Sequence, residues 1–181
     1  NGDIHTTNQI AAGLESRDES KTFIYAFIYG AGSKKIGSII GGNERDGDRV
    51  KEKFLRATPS LRRLREKVDG VSKKRWIRGL DQRRIIIRHP HAALNTLLQG
   101  AGSCVMKKAL TLLHKNVIRK QIKAFPVVNV HDEFQYEVEE NRAEEFGKLA
   151  VQSIIDAGKQ LNIRCPLDGK YKVGSNWAET H

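Results

Sequence analysis

Residues Ser16–Gly32 read SRDESKTFIYAFIYGAG, and within them Arg17, Lys21, Tyr25 and Tyr29 recur at every fourth position. Residues four apart share one face of an α-helix, so the stretch predicts a helix carrying two cations and then two phenols. Ser16 followed three residues later by Glu19 has the pattern of a capping box and predicts where the helix starts. Gly30 and Gly32 predict its end. Cations in the first turn oppose the helix macrodipole, which is mildly unfavourable for stability and suits an external polyanion. On spacing alone the commoner reading is packing, with Tyr25 and Tyr29 as core aromatics of an amphipathic surface helix.

The charge balance favours the polyanion. The chain has 181 residues, with 32 Lys plus Arg against 21 Asp plus Glu, a formal charge of +11. Nucleic acid is the first partner such an excess suggests, through neutralised phosphates and released counterions. Residues 51–88 hold fourteen Lys or Arg, whereas 131–145 hold seven carboxylates against Arg142. A basic sector beside an acidic one could hold phosphates in one place and metal ions in another. Cys104 and Cys165 have no paired spacing and indicate neither a disulfide framework nor a zinc site. No apolar run reaches the ~20 residues that span a bilayer, so no membrane partner is expected. The chain opens on Asn1 and its one methionine is Met106, so it is expected to be a fragment or one half of something processed.

The remaining pattern predicts α+β. Residues 1–15 read as helical up to Gly13, and SKKIGSIIGG as a short helical turn. Glu44–Arg56 forms a charged helix with Val50, Phe54 and Leu55 inward. Thr58-Pro59 predicts an N-cap and first helical position, with a helix running to about Val68. Residues 73–88 read as a hairpin turning at Gly79-Leu80-Asp81, ended by Pro90. Ala92 to about Lys120 is the longest helical pattern, with Leu94, Leu97, Leu98, Val105, Leu112 and Leu113 inward. Val127–Val130 and Phe134–Val138 are strand-like runs joined by His131-Asp132-Glu133. Asn141 is expected to cap a last helix, and the tail to hold short strands and turns. Helices ahead of a hairpin argue against a wound parallel sheet, and no linker divides the chain into more than one unit.

At the tip of an apolar hairpin, Asp132 and Glu133 could project together, and their oxygens suit a hard cation such as Mg²⁺ shared with substrate phosphates. Taken alone, an exposed acidic turn is the commoner reading. Asn95 and Gln99, four apart on the long helix, carry amides that can donate and accept at minor-groove base edges, or be plain surface amides. Arg83, Arg84 and Arg88 suit backbone phosphate better than bases. Gly30–Lys34 lacks the spacing of a phosphate-binding loop. His89 and His91 have no third ligand in view and are read as structural.

Read together, these motifs resemble one family. Arg17, three residues, Lys21, and then Tyr29-Gly30 is similar to motif B of the family A (Pol I-type) DNA polymerases. DIHT at Asp3–Thr6 fits the same family, and VVNVHDEFQYEV resembles its motif C. HAALNTLLQGAG resembles its primer–template segment, and the ending NWAETH resembles the branch found in short-tailed phages. That ending makes His181 the expected C-terminus.

The resemblance implies a helical fingers region over about 1–90, then a long helix and C-terminal palm over 91–181, whose hairpin carries HDE. It implies template-directed addition of dNTPs to a primer 3′-hydroxyl with two Mg²⁺ ions. His5, Arg17, Lys21 and Tyr25 would contact the nucleotide, with Lys21 also giving a proton to pyrophosphate. Tyr29 and Gly30 would lie at the templating position, and Arg88, Asn95, Gln99 and His131 along the primer–template. Asp132 and Glu133 would serve catalysis and metal binding. Tyr at position 25, where similar enzymes carry Phe or Tyr, implies easy acceptance of dideoxynucleotides. The implied setting is the cytoplasm of an infected bacterial host.

The sequence departs from the family in one important respect. The motif A aspartate, the second metal ligand, belongs upstream of DIHT, and Asp3 and Asp18 are poor substitutes. The motif A glutamate that excludes ribonucleotides and the thumb are also missing. A separate N-terminal part is therefore expected to complete the enzyme. The span between Val68 and Trp76 also looks short for the family. The alternative is a non-catalytic basic DNA-binding module derived from a polymerase, and a single-subunit RNA polymerase is a poorer match.

Overall fold

The computed structural model describes residues 3–180, so the expectation for His181 lies outside them. The chain divides into two compact units, one running to Leu98 and one beginning at Gln99. The architecture is the helix-rich α+β arrangement that the sequence predicts, with two small antiparallel hairpins.

The first unit opens with α1 (Ile4–Ala12) and α2 (Arg17–Ile28). Gly13 ends α1 in the left-handed conformation, at φ 70°, and its N–H donates to the Gln9 and Ile10 carbonyls. Ser16 caps α2 by accepting from the Glu19 N–H at 3.1 Å. The box itself does not close as the sequence suggests, because the Glu19 carboxylate accepts from the Glu15 N–H instead. Next come α3 (Ser33–Ile39) and α4 (Glu44–Ala57). A full capping box does open α4: Asn43 Oδ1 accepts from Asp46 N, and Asp46 Oδ2 accepts from Asn43 N. These two helices approach closely at glycine. A Cβ on Gly47 would collide with the Ser33 carbonyl oxygen and the Gly37 amide nitrogen.

Phe23, Ile24, Phe27, Ile36, Phe54 and Leu55 form the core of these helices. The Phe54 ring meets Phe23 and Phe27 edge-on, with centroids 5.3 and 5.4 Å apart. Each such buried side chain contributes about 1.5–3 kcal/mol through lost apolar exposure. Then α5 (Pro59–Ser72) runs one turn past the expected Val68. Thr58 stands at its N-cap position, but its hydroxyl donates backward to the Phe54 carbonyl and closes α4. The first hairpin pairs β1 (Trp76–Arg78) with β2 (Arg84–Ile86). Pro90 opens a 3₁₀ turn that leads into α6 (Ala93–Arg119). Val68, Ile77, Ile87, Ala93 and Leu94 make a second core here, while Leu98 is exposed rather than inward.

The second unit contains the rest of α6 and a hairpin of β3 (Ala124–Val130) with β4 (Glu133–Val138). Its register shifts between Pro126 and Val128, where proline has no N–H to give the ladder. After a 3₁₀ turn over Glu140–Arg142 comes α7 (Ala143–Gln160). The expected cap, Asn141, lies inside that turn, and the N-cap is Arg142, whose side chain makes no capping bond. Leu113, Val117, Ile122, Phe146 and Ala150 form the core of this unit.

The tail holds no strand among the described residues; its only regular element is α8 (Trp177–Thr180). Side chains anchor it instead of a ladder. The Tyr171 ring covers Gly147 and its hydroxyl donates to Glu144 Oε2 at 2.7 Å, while Leu167 covers Gly158. No helix of the described residues is long and apolar enough to cross a membrane.

Candidate functional site

The helix α2 has two chemically distinct sides. Ser20, Phe23, Ile24 and Phe27 are buried, whereas Arg17, Lys21, Tyr25 and Tyr29 face solvent. Tyr25 is 52% and Tyr29 57% exposed, so neither is a core aromatic. The preceding helix supplies the neighbour. The buried Ser20 hydroxyl donates to the His5 carbonyl at 2.8 Å and pins α1 against α2. The His5 ring then lies 6.3 Å from the Tyr25 ring. His5 Nδ1 is buried and lacks a hydrogen-bond partner among the described residues.

Arg17 is held from the same side. Its Nε lies 2.5 Å and its Nη2 3.3 Å from the two oxygens of Asp3, the residue that caps α1. The Arg17 hydrogen bond is the main force that keeps the Asp3 carboxyl well below the usual carboxylate range, with Thr6 and the His5 amide adding to it. Asp3 pushes the Arg17 guanidinium up in return. One exposed face therefore gathers His5, Arg17, Lys21, Tyr25 and Tyr29. It offers cations for phosphate and phenol and imidazole rings for a sugar or base.

Gly30 has a structural reason to be glycine. Its φ is 82°, and a Cβ there would collide with the backbone carbonyl of His91. The His89 and His91 rings stack at 5.6 Å, a packing arrangement. Arg88 is exposed. Arg83 pairs with Asp81, and Arg84 lies 4.8 Å over the Trp76 ring. Asn95 is half-buried, and its Oδ1 is buried with no partner among the described residues. Gln99, one turn on, is exposed and belongs to the second unit.

In that unit the HDE segment is divided between turn and strand. His131 and Asp132 make the turn, with His131 at φ 53°, and Glu133 starts β4 opposite Val130. The two carboxylates thus do not share a three-residue loop, as the sequence suggests. Both are exposed, and Glu133 Oε1 accepts from Gln135 Nε2 at 2.6 Å. Asp132 and Glu133 also border a groove of about 1130 Å³ between β4, α7 and the tail, lined further by Tyr136, Ile154, Tyr171 and Trp177. Among the described residues no three His, Cys, Asp or Glu side chains gather as a metal-holding group. Two exposed carboxylates fit a share of an Mg²⁺ site, since that ion keeps waters and substrate phosphates alongside one or two carboxylates.

Comparison with known proteins identifies the class. The model of DNA polymerase family A matches residues 2–179, and the chain belongs to this family. It is 41% identical to the DNA-directed DNA polymerases of Enterobacteria phage T3 and Escherichia phage T7 over its whole length. It is 39% identical to that of Escherichia phage Phieco32 over 99% of its length. The chain spans about 29% of the T3 and T7 proteins and 30% of the Phieco32 protein. Its fold matches the POL domain of Pol1 from M. smegmatis, solved in complex with DNA primer-template and dNTP. The TM-score is 0.77 at 18% identity, over 86% of this chain and 31% of that one.

Proposed function

We propose that this chain forms the fingers and C-terminal palm of a phage-type DNA-directed DNA polymerase and works with the motif A and thumb regions of that enzyme. The observation that carries the reading is the solvent-facing stripe of Arg17, Lys21, Tyr25 and Tyr29 beside His5, opposite a phenylalanine core. A stripe that only packed would have buried its tyrosines.

In this reading Arg17, Lys21 and His5 take the triphosphate, and Tyr25 lies against sugar and base. The primer 3′-oxygen bonds to the α-phosphorus as the bond from that phosphorus to the bridging oxygen breaks and pyrophosphate leaves. Lys21 gives pyrophosphate a proton, and the hydroxyl proton passes to solvent. Two Mg²⁺ ions, when bound, supply Lewis-acid stabilisation of the attacking and leaving oxygens. Asp132 and Glu133 would hold them together with the motif A carboxylate of the enzyme. Tyr29 and Gly30 border the templating base, while Arg88, Asn95, Gln99 and His131 line the primer–template. A two-stranded β3–β4 sheet with Phe125 63% and Val127 59% exposed supports a covering partner. The setting that follows is an infected bacterial cell.

Primer extension with Mg²⁺ and four dNTPs tests this, using the chain alone and mixed with a polypeptide that carries the motif A and thumb regions. The expected result is extension only in the mixture, abolished by Asp132→Ala. DNA binding without extension, in a mixture shown to associate, would favour a non-catalytic DNA-binding module. Extension by the chain alone would overturn the reading of Asp132 and Glu133 as only part of the metal site.

A further inference from the structure

We propose that Asp3 is an internal counter-anion for Arg17, which occupies the guanidinium fork as a phosphate would and must be displaced when a triphosphate binds. This rests on the reading of Arg17 as a phosphate contact.

The Asp3 carboxylate is surrounded as a phosphate would be. Oδ2 accepts from Arg17 Nε at 2.5 Å and from the Thr6 hydroxyl at 3.0 Å. Oδ1 accepts from Arg17 Nη2 at 3.3 Å and from the His5 N–H at 3.4 Å. Paired N–H donors on two oxygens are the form in which arginine takes either carboxylate or phosphate. Arg17 begins α2, where the macrodipole opposes a cation, so a nearby carboxylate relieves an unfavourable placement. The pair is also accessible to a ligand, with side chains 53% and 38% exposed, and an exchange of anions at such a surface pair is cheap. Lys21, one turn along the same face, is exposed and would receive the neighbouring phosphate oxygens. The carboxylate must leave the guanidinium fork before a phosphate can enter it, so the ion pair lowers the affinity for an external anion.

Asp3→Asn separates charge from fold, because asparagine caps a helix about as well as aspartate. Binding of inorganic tripolyphosphate is measured by calorimetry at low salt for the unaltered chain, Asp3→Asn, Arg17→Ala and the double variant, with circular dichroism confirming the helical content. Asp3→Asn is expected to tighten binding roughly two- to fivefold, the range of an exposed ion pair. That gain should vanish in the Arg17→Ala background. An unchanged or weakened affinity in Asp3→Asn overturns the proposal, as does an equal gain with and without Arg17, which would be a bulk charge effect. If Arg17→Ala binds tripolyphosphate as the unaltered chain does, the nucleotide reading beneath the proposal fails instead.

Discussion

Replacing Gly30 with alanine is expected to destabilise the first unit substantially, with or without DNA. The residue has φ 82°, a conformation that costs an L-residue about 1–2 kcal/mol. A Cβ would also collide with the His91 carbonyl oxygen. That oxygen belongs to the main chain, so relief requires a backbone shift rather than a side-chain rotation. Overpacking of this kind costs about 1–3 kcal/mol, giving a combined loss of about 2–5 kcal/mol. Urea unfolding followed by circular dichroism measures it. With a slope of about 2 kcal/mol per M, the midpoint should fall by about 1 M or more. Gly32→Ala is the control, because its φ is −69° and nothing lies within 4 Å of an added Cβ. Its lost cap preference and reduced unfolded-state freedom should nearly cancel. A Gly30→Ala chain within about 0.5 kcal/mol of the parent would refute the packing explanation. The glycine would then be needed at the ligand rather than for the fold.

Gly47→Ala should cost about 1–3 kcal/mol or more, read by the same unfolding curve, since α3 and α4 meet there backbone to backbone. Glu145 is held below the ordinary carboxyl range by hydrogen bonds from Lys120 and then Arg142, each at 2.8 Å. A depressed folded value means that its contribution is present above the ordinary carboxyl range and lost as pH falls through the folded value. Glu145→Gln should therefore flatten the acid limb of a stability–pH curve below about pH 4.5, and an unchanged limb would contradict the pairing. In the assembled polymerase, Tyr25→Phe should make dideoxynucleotide incorporation discriminating, and equal discrimination by both versions in a competition assay would sink that expectation.

Much of the local architecture was legible because it depends on residues close in sequence. Period-four spacing and Ser16 marked α2, apolar runs around HDE marked the second hairpin, and Asn95 and Gln99 fell one turn apart on α6. The capping details were less legible. Thr58 and Glu19 each have two competing backbone groups within reach, and the choice depends on how the preceding segment turns. The α4 box formed by Asn43 and Asp46 had a readable signal, an Asn followed three residues later by Asp, but not the more familiar Glu or Gln. The tail's apolar residues suggested strands, yet the glycines of α7 offered notches for Tyr171 and Leu167, and side-chain anchoring took the place of a ladder.

By itself the sequence determined the helical face on which Arg17, Lys21, Tyr25 and Tyr29 stand, the hairpin that carries Asp132 and Glu133, and a family resemblance that the family match bears out. Only the tertiary structure decided that this face meets water, that Asp3 grips Arg17, and that Gly30 makes room for a distant carbonyl. Periodicity states which residues lie together on a helix. Which side is buried depends on the surface brought against it, here the Phe23, Phe27 and Phe54 cluster, and that surface exists only once remote segments have packed.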